Sequence, residues 1–284
     1  MKDQILNRIN TINRSYRKIR EDDRIKSDLS KNKIDMLYKH IYRYSAIDWQ
    51  KHDGEDYAIL SGVWQEYIVK KFLRDTNILK AIEPTKRSGK KKIFEKNRKS
   101  SAKRIPEKVQ CRELKECVAE TALGKILDFQ VPLKADRADC KGELDLVAKV
   151  NKNTIRIIEY KVPNSDEPLL RAVLEAITYY RQINGTNANE SEYLIDFNNV
   201  FEEQCNKIDI AIVVPEHAYL FGHSKAYELI KEYNIDCFKF SDMNDYKSIV
   251  EVSDSELDKY LTYALKNMQC IIDNSEKIVS LINI

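Results

Sequence analysis

The chain has 284 residues, 43% of them hydrophobic, which is enough for a sizeable core in one large domain or two smaller ones. Its net charge is +3, but the segment from Lys86 to Arg104 carries ten basic residues against one acid, a local +9 that leaves −6 for the rest. No stretch approaches the ~18 apolar residues of a membrane span, and Met1 to Asp23 is too charged for a signal peptide, so a soluble, cytoplasmic protein is expected.

Residues 1–80 read as helical. Ile5, Ile9, Ile12, Tyr16 and Ile19 recur at three- and four-residue spacing, as do Ile34, Leu37, Tyr38, Ile41 and Tyr42. A third stripe carries Trp64, Ile68 and Phe72. Aromatics at this spacing are core side chains more often than ligands, and no chemistry is assigned to them. Residues 81–106 then form the basic linker. An acidic body with one basic strap suggests a polyanion met at one place, and Lys90, Lys91, Lys92, Arg98 and Lys99 are its candidate nucleic-acid contacts. The alternative is a solvated linker whose charge only aids solubility.

Val109 to Leu127 reads as a helix, and Asp128 to Leu133 as a short strand that Pro132 limits to an edge or an early stop. Two apolar, β-branched runs follow, Gly142 to Val147 and Thr154 to Val162, with the polar break Asn151-Lys152-Asn153 between them. They predict a β-hairpin. Pro168 opens a helix over Leu169 to Ile183. Asp209 to Val214 is a buried-strand pattern, Ser224 to Tyr233 is helical, and Ile235 to Phe240 is a last strand. Residues 241–284 are expected to be a helical extension. The class is α/β, with helix, three strands, helix and strand in succession.

Strand alternation places Glu159 and Lys161 on one face, with Ile158, Tyr160 and Val162 on the other. Asp145 points opposite to Leu144 and Leu146 in the partner strand. Burying an unpaired charge is expensive, so three ionisable groups inside hydrophobic strands call for a reason. The same Glu-x-Lys triplet at Glu113-Leu114-Lys115 lies in a helical pattern, where positions two apart diverge by roughly 200° and cannot converge on one ion. A solvated surface strand with a cross-strand ion pair is the competing reading. Two carboxylates beside an ammonium suit a hard divalent cation that handles phosphate.

Asp145 in one strand and Glu159-Tyr160-Lys161 in the next resemble the PD-(D/E)XK nuclease superfamily, in its uncharacterised endonuclease-like branch. The element order agrees with its restriction-endonuclease-like core over residues 107–240. Gln130-Val131-Pro132-Leu133 ahead of Gly142-Glu143-Leu144-Asp145 is similar to the first hairpin of such proteins, and Pro168 to Tyr179 to their second helix. Two departures stand out. Leu144 replaces the proline of the signature, and Glu175 stands where many relatives carry the Gln of a Gln-x-x-x-Tyr pair with Tyr179.

The resemblance implies Mg²⁺ (or Mn²⁺) held by Asp145, Glu159 and the backbone carbonyl of Tyr160, with Lys161 positioning water or offsetting charge on phosphate, and Gln130, Glu175 and Tyr179 in support. It also implies a glutamate from the first helix. Relative to an apolar face between Leu114 and Val118, Glu113 and Glu120 lie roughly 120–140° away and Glu116 nearly opposite, which favours Glu113, then Glu120, over Glu66. The expected activity is metal-dependent hydrolysis of phosphodiester bonds, of DNA first. A ribonuclease on the same chemistry, or a nucleic-acid-binding scaffold that has lost catalysis, are the alternatives, and a homodimer is compatible with either.

Other chemistries lack their residues. The six cysteines form no Cys-x-x-Cys and read as buried free thiols. His217 and His223 are six apart, which fits no helical metal pair. With seven glycines in the chain, no phosphate-cradling loop or nucleophile elbow appears.

Overall fold

The computed structural model describes residues 106–116, 121–133, 142–165, 167–184, 194–195, 198–199, 203–220, 222–242 and 244–266. Residues 1–80, expected to be helical, and the basic strap with Lys90, Lys91, Lys92, Arg98 and Lys99 lie outside the described residues, as do Glu66 and Glu120.

The protein is mixed α/β. Its elements are α1 (Pro106–Glu116), β1 (Lys125–Pro132), β2 (Glu143–Asn151), β3 (Thr154–Tyr160), α2 (Leu169–Asn184), β4 (Lys207–Val213), α3 (Glu216–Leu220), α4 (Ser224–Glu232), β5 (Asp236–Asp242) and β6 (Asp245–Glu251). Residues 254–266 are again helical. The six strands form one sheet in chain order. Strands β1, β2 and β3 are antiparallel, β3, β4 and β5 are parallel, and β6 returns antiparallel to β5. Parallel neighbours need a crossover, and α2 supplies the one between β3 and β4.

Every residue of β3 is buried, because helices cover both faces of the sheet at its centre. On one face Cys111 and Leu114 of α1 pack against Phe129, Leu146, Ile158 and Tyr160. On the other, α2 lies over β3 and β4, with α4 beside it, around Ile155, Ile157, Val173, Ile177 and Ile212. The hairpin between β2 and β3 turns where its polar break predicts: Asn151 pairs with Thr154, and the Asn151 side chain accepts from the Asn153 N–H at 2.9 Å.

Three element boundaries depart from the sequence reading. Helix α1 starts three residues earlier than expected, is described as far as Glu116, and does not reach Leu127. A tight turn at Thr121–Gly124 starts β1 at Lys125. Gly124 has φ +99°, and a Cβ there would stand 2.6 Å from the Lys149 carbonyl oxygen, so the turn needs a residue without one. Beyond residue 240 the expected helical extension gives way to β6, and helix resumes only at 254. Cys111, Cys205 and Cys237 are buried free thiols. No helix among the described residues is long and apolar enough to cross a membrane.

Candidate active site

Strands β2 and β3 part company where the expected acids lie. Their ladder runs as far as Leu146 opposite Ile158. Beyond it, the Tyr160 N–H donates not to a β2 carbonyl but to Asp145 Oδ2, at 3.0 Å. On its other edge β3 stays paired with β4 through Tyr160 opposite Val213, and the Lys161 N–H donates to the Val213 carbonyl at 2.8 Å. The end of the ladder is thus bridged by a carboxylate that has taken over a backbone hydrogen bond.

Gln130 fixes the second oxygen of Asp145, donating from Nε2 to Oδ1 at 3.0 Å across the β1–β2 pair. It does so from φ +50°, an uncommon backbone conformation for a residue with a side chain, found here beside a candidate site. Both Asp145 oxygens are therefore oriented before any ligand arrives.

Glu159 and Lys161 share the face that looks toward α2, as alternation requires. The Lys161 ammonium donates to Glu159 Oε1 and, at 3.2 Å, to Glu175 Oε2. Glu175 Oε1 accepts from the Tyr179 hydroxyl at 3.1 Å, so the Glu175/Tyr179 pair of α2 braces the lysine one turn apart. Gly142 seats Tyr179: a Cβ on it would lie 2.7 Å from the ring.

Two further groups belong to the cluster that the sequence reading did not include. Glu167, in the loop leading into α2, puts Oε2 3.0 Å from the Lys161 ammonium and accepts from Arg171 Nη1 on Oε1 at 2.7 Å. Glu107, in the first turn of α1, lies in the electrostatic field of Asp145, Lys161, Glu167 and Glu175. It is followed on the same helical stripe by the buried Cys111 and Leu114, four and seven residues on. The expected helix glutamate, Glu113, is six residues from Glu107 and hence about 120° round the helix from that stripe. Glu107 thus stands on the stripe of α1 that faces the sheet, within the field of the site's charges, while Glu113 lies half-exposed on the flank of α1. A proline at the first helical position was the available signal, since it places Glu107 inside the helix instead of ahead of it.

The electrostatics follow from gathering acids in a buried place. Burial, with the carboxylate of Glu175, pushes Asp145 up to about 6, against the pull of Lys161. Burial, Asp145 and Glu175 raise Glu159 well above the usual carboxylate range. Burial and Asp145 push Glu107 up to about 8. Glu175 goes the other way: burial opposes its charge, but Lys161 and Arg171 hold it below the ordinary value. Burial also works against the Lys161 ammonium, yet Glu159, Glu175 and Glu167 outweigh it and keep the lysine charged.

Glu159 Oε2 is buried and receives no hydrogen bond. Its carboxyl faces those of Asp145 and Glu175, so a shared proton, a cation or a donor from outside the protein is needed to satisfy it. The donor set therefore fits a hard divalent cation, which takes carboxylate and carbonyl oxygens and keeps several waters. Among the described residues no three Asp, Glu, His or Cys side chains stand close enough to form a ready-made cage. The Lys161 ammonium occupies the space between Glu159, Glu167 and Glu175.

The two histidines do other work. His217 Nε2 lies 2.7 Å from the Ser165 carbonyl, tying α3 to the loop after β3, and His223 caps the N-terminus of α4 through its Nδ1. No family model, curated protein or solved structure matches this chain.

Proposed function

We propose that this protein is a divalent-cation-dependent nuclease that hydrolyses phosphodiester bonds of DNA, built on the restriction-endonuclease-like core that its PD-(D/E)XK resemblance implies. The observation that carries the reading is the buried, strand-borne Asp145–Glu159 pair beside Lys161, with one Glu159 oxygen left without a donor. A protein using these residues only for packing gains nothing from such a cluster, because each buried carboxylate opposes the ionisation of the next.

Asp145, Glu159 and the Tyr160 backbone carbonyl would hold Mg²⁺ or Mn²⁺, with Glu107 as the acid contributed by the first helix. A cation so held supplies a water of lowered pKa and neutralises charge on the phosphate oxygens. The protein's own groups do the positioning. Gln130 and the Tyr160 N–H fix both oxygens of Asp145. Tyr179 and Glu175 fix the lysine. Lys161 keeps its charge among three carboxylates, which favours an electrostatic part toward developing negative charge over service as a neutral base. The basic strap with Lys90, Lys91, Lys92, Arg98 and Lys99 would meet the nucleic-acid backbone.

The deciding experiment offers the purified protein labelled duplex DNA, single-stranded DNA and RNA, each with Mg²⁺, Mn²⁺ or EDTA. Cleavage of DNA that needs the cation and disappears in Asp145→Asn is the expected result. Cleavage of RNA alone would transfer the activity to a ribonuclease. No cleavage of any strand, with binding retained, would leave a nucleic-acid-binding protein.

A further inference from the structure

Glu167 makes a contact that the nuclease reading does not require. Its carboxylate bridges two cations, with Oε1 accepting from Arg171 Nη1 at 2.7 Å and Oε2 lying 3.0 Å from Lys161 Nζ. Two oxygens of one anion, each facing a different cation, is also how the non-bridging oxygens of a phosphate would sit between an ammonium and a guanidinium. Building on the nuclease reading, we propose that Lys161 and Arg171 form a phosphate-binding subsite and that Glu167 occupies it as a built-in competitor until substrate displaces it.

Three features support displacement of Glu167 rather than of its neighbours. An ammonium has three donor hydrogens, and here three carboxylates crowd it, so one must withdraw before Lys161 can face a phosphate. Glu175 is braced at both oxygens, by the Tyr179 hydroxyl and by Lys161, from two turns inside α2. Glu159 extends from the central strand and can keep Oε1 on the lysine while Oε2 faces a cation. Glu167 is the most exposed of the three and the one carried by a loop. It lies in the loop before α2, and its Oε2 is close to Lys161 by charge but receives no hydrogen bond. The side chains of Glu167 and Arg171 are 16% and 14% exposed, against 2% and 6% for Glu159 and Lys161, which places the pair between the buried centre and solvent.

Arg171 also faces Glu175, with Nε 3.8 Å from Oε2, and this second anchor keeps the guanidinium at the subsite after Glu167 leaves. The exchange forms no covalent bond. One anion replaces another on the same two cations.

Calorimetric titration with inorganic phosphate in Mg²⁺ buffer tests the subsite without turnover. Glu167→Ala is expected to bind phosphate about tenfold more tightly than the parent, since a competing charged contact of this kind is worth that factor or more. Glu167→Gln, which keeps the shape but not the charge, should move the same way. Arg171→Ala should bind more weakly than the parent, and adding it to Glu167→Ala should erase the gain. Equal phosphate affinity in the parent and both Glu167 variants would overturn the subsite, as would no detectable binding in any of them. Nucleic-acid cleavage by the parent, read in parallel, separates the two ideas. Cleavage with unchanged phosphate affinity removes the subsite and keeps the nuclease. Tighter phosphate binding without cleavage keeps the subsite and removes the nuclease.

Discussion

Replacing Glu159 by Gln should stabilise the metal-free protein at neutral to alkaline pH while removing its response to Mg²⁺. Carboxyls raised in the folded state hold their protons longer than in the unfolded chain. Their stabilising contribution is complete below the unfolded value and is lost as pH rises through the folded one. Asp145 at about 6, Glu107 at about 8 and the raised Glu159 all act in this direction. Glu175, lowered by Lys161 and Arg171, acts oppositely, but its gain is complete once pH has passed the ordinary carboxylate value. Lys161, held above its ordinary value, changes nothing until strongly alkaline pH. Between about pH 5.5 and pH 8 the metal-free protein should therefore lose stability.

Lifting a carboxyl from near 4 to about 6 costs its ionised form about 3 kcal/mol, but most of that is lost below pH 6; Asp145 contributes about 1 kcal/mol of loss above pH 5.5, and Glu107, at about 8, carries most of the fall in this window. Gln at position 159 removes one like charge facing Asp145 and still offers Lys161 an oxygen, while Glu167 and Glu175 remain. The variant should be more stable than the parent by about 1–2 kcal/mol at pH 8 in EDTA, and its fall in stability with pH should be shallower. For a domain of this size each kcal/mol is about 2–4 °C in Tm. Adding Mg²⁺ at a hundred times its Kd should return about 2.7 kcal/mol to the parent and much less to the variant. Urea midpoints at the two pH values, with EDTA and with Mg²⁺, give all four numbers. A parent as stable at pH 8 as at pH 5.5 without metal would refute the crowding of acids, and an equal Mg²⁺ response in both proteins would refute the ligand role.

Asp145→Asn and Glu159→Gln should each abolish cleavage with the fold retained by circular dichroism, whereas Lys161→Ala should slow turnover yet keep metal binding in calorimetry. Glu107→Gln should lower activity well below that of Glu113→Gln, and the reverse order would return the helix glutamate to position 113. Gly142→Ala forces a Cβ to within 2.7 Å of the Tyr179 ring at φ +103°, and should cost about 1–3 kcal/mol in a urea melt together with a fall in kcat. Replacing Lys90, Lys91 and Lys92 with Ala should flatten the slope of log K against log salt for duplex DNA by up to roughly 2–3, measured by anisotropy in an Asp145→Asn background. An unchanged slope would make the strap a solvated linker.

What could be read from the sequence was what short-range periodicity dictates. The β2–β3 hairpin was legible in two apolar, β-branched runs and the Asn-rich break between them. The shared face of Glu159 and Lys161 followed from strand geometry alone, and α2 announced itself through Pro168 and a helical stripe. Strand β6 was missed because it has little pattern of its own. Of Asp245 to Glu251 only Ile249 is buried, and the segment is a strand because its backbone pairs with β5.

The site residues missed were those whose positions depend on where an element starts or on tertiary contact. Glu107 and Glu113 are both glutamates on one helix, but a sequence reading that begins the helix at Val109 leaves Glu107 outside it and unweighed. Beginning at Pro106, the buried stripe runs through Cys111 and Leu114 and carries Glu107 with it. Glu167 has no periodicity to declare it. Its place depends on the length of the loop between β3 and α2, and on an arginine four residues further along that turns its carboxylate toward Lys161. Sequence spacing identifies groups fixed to the same strand or helix face. Groups that a loop delivers to that face become visible only once the chain has closed around them, and a carboxylate so delivered is also the one best able to leave.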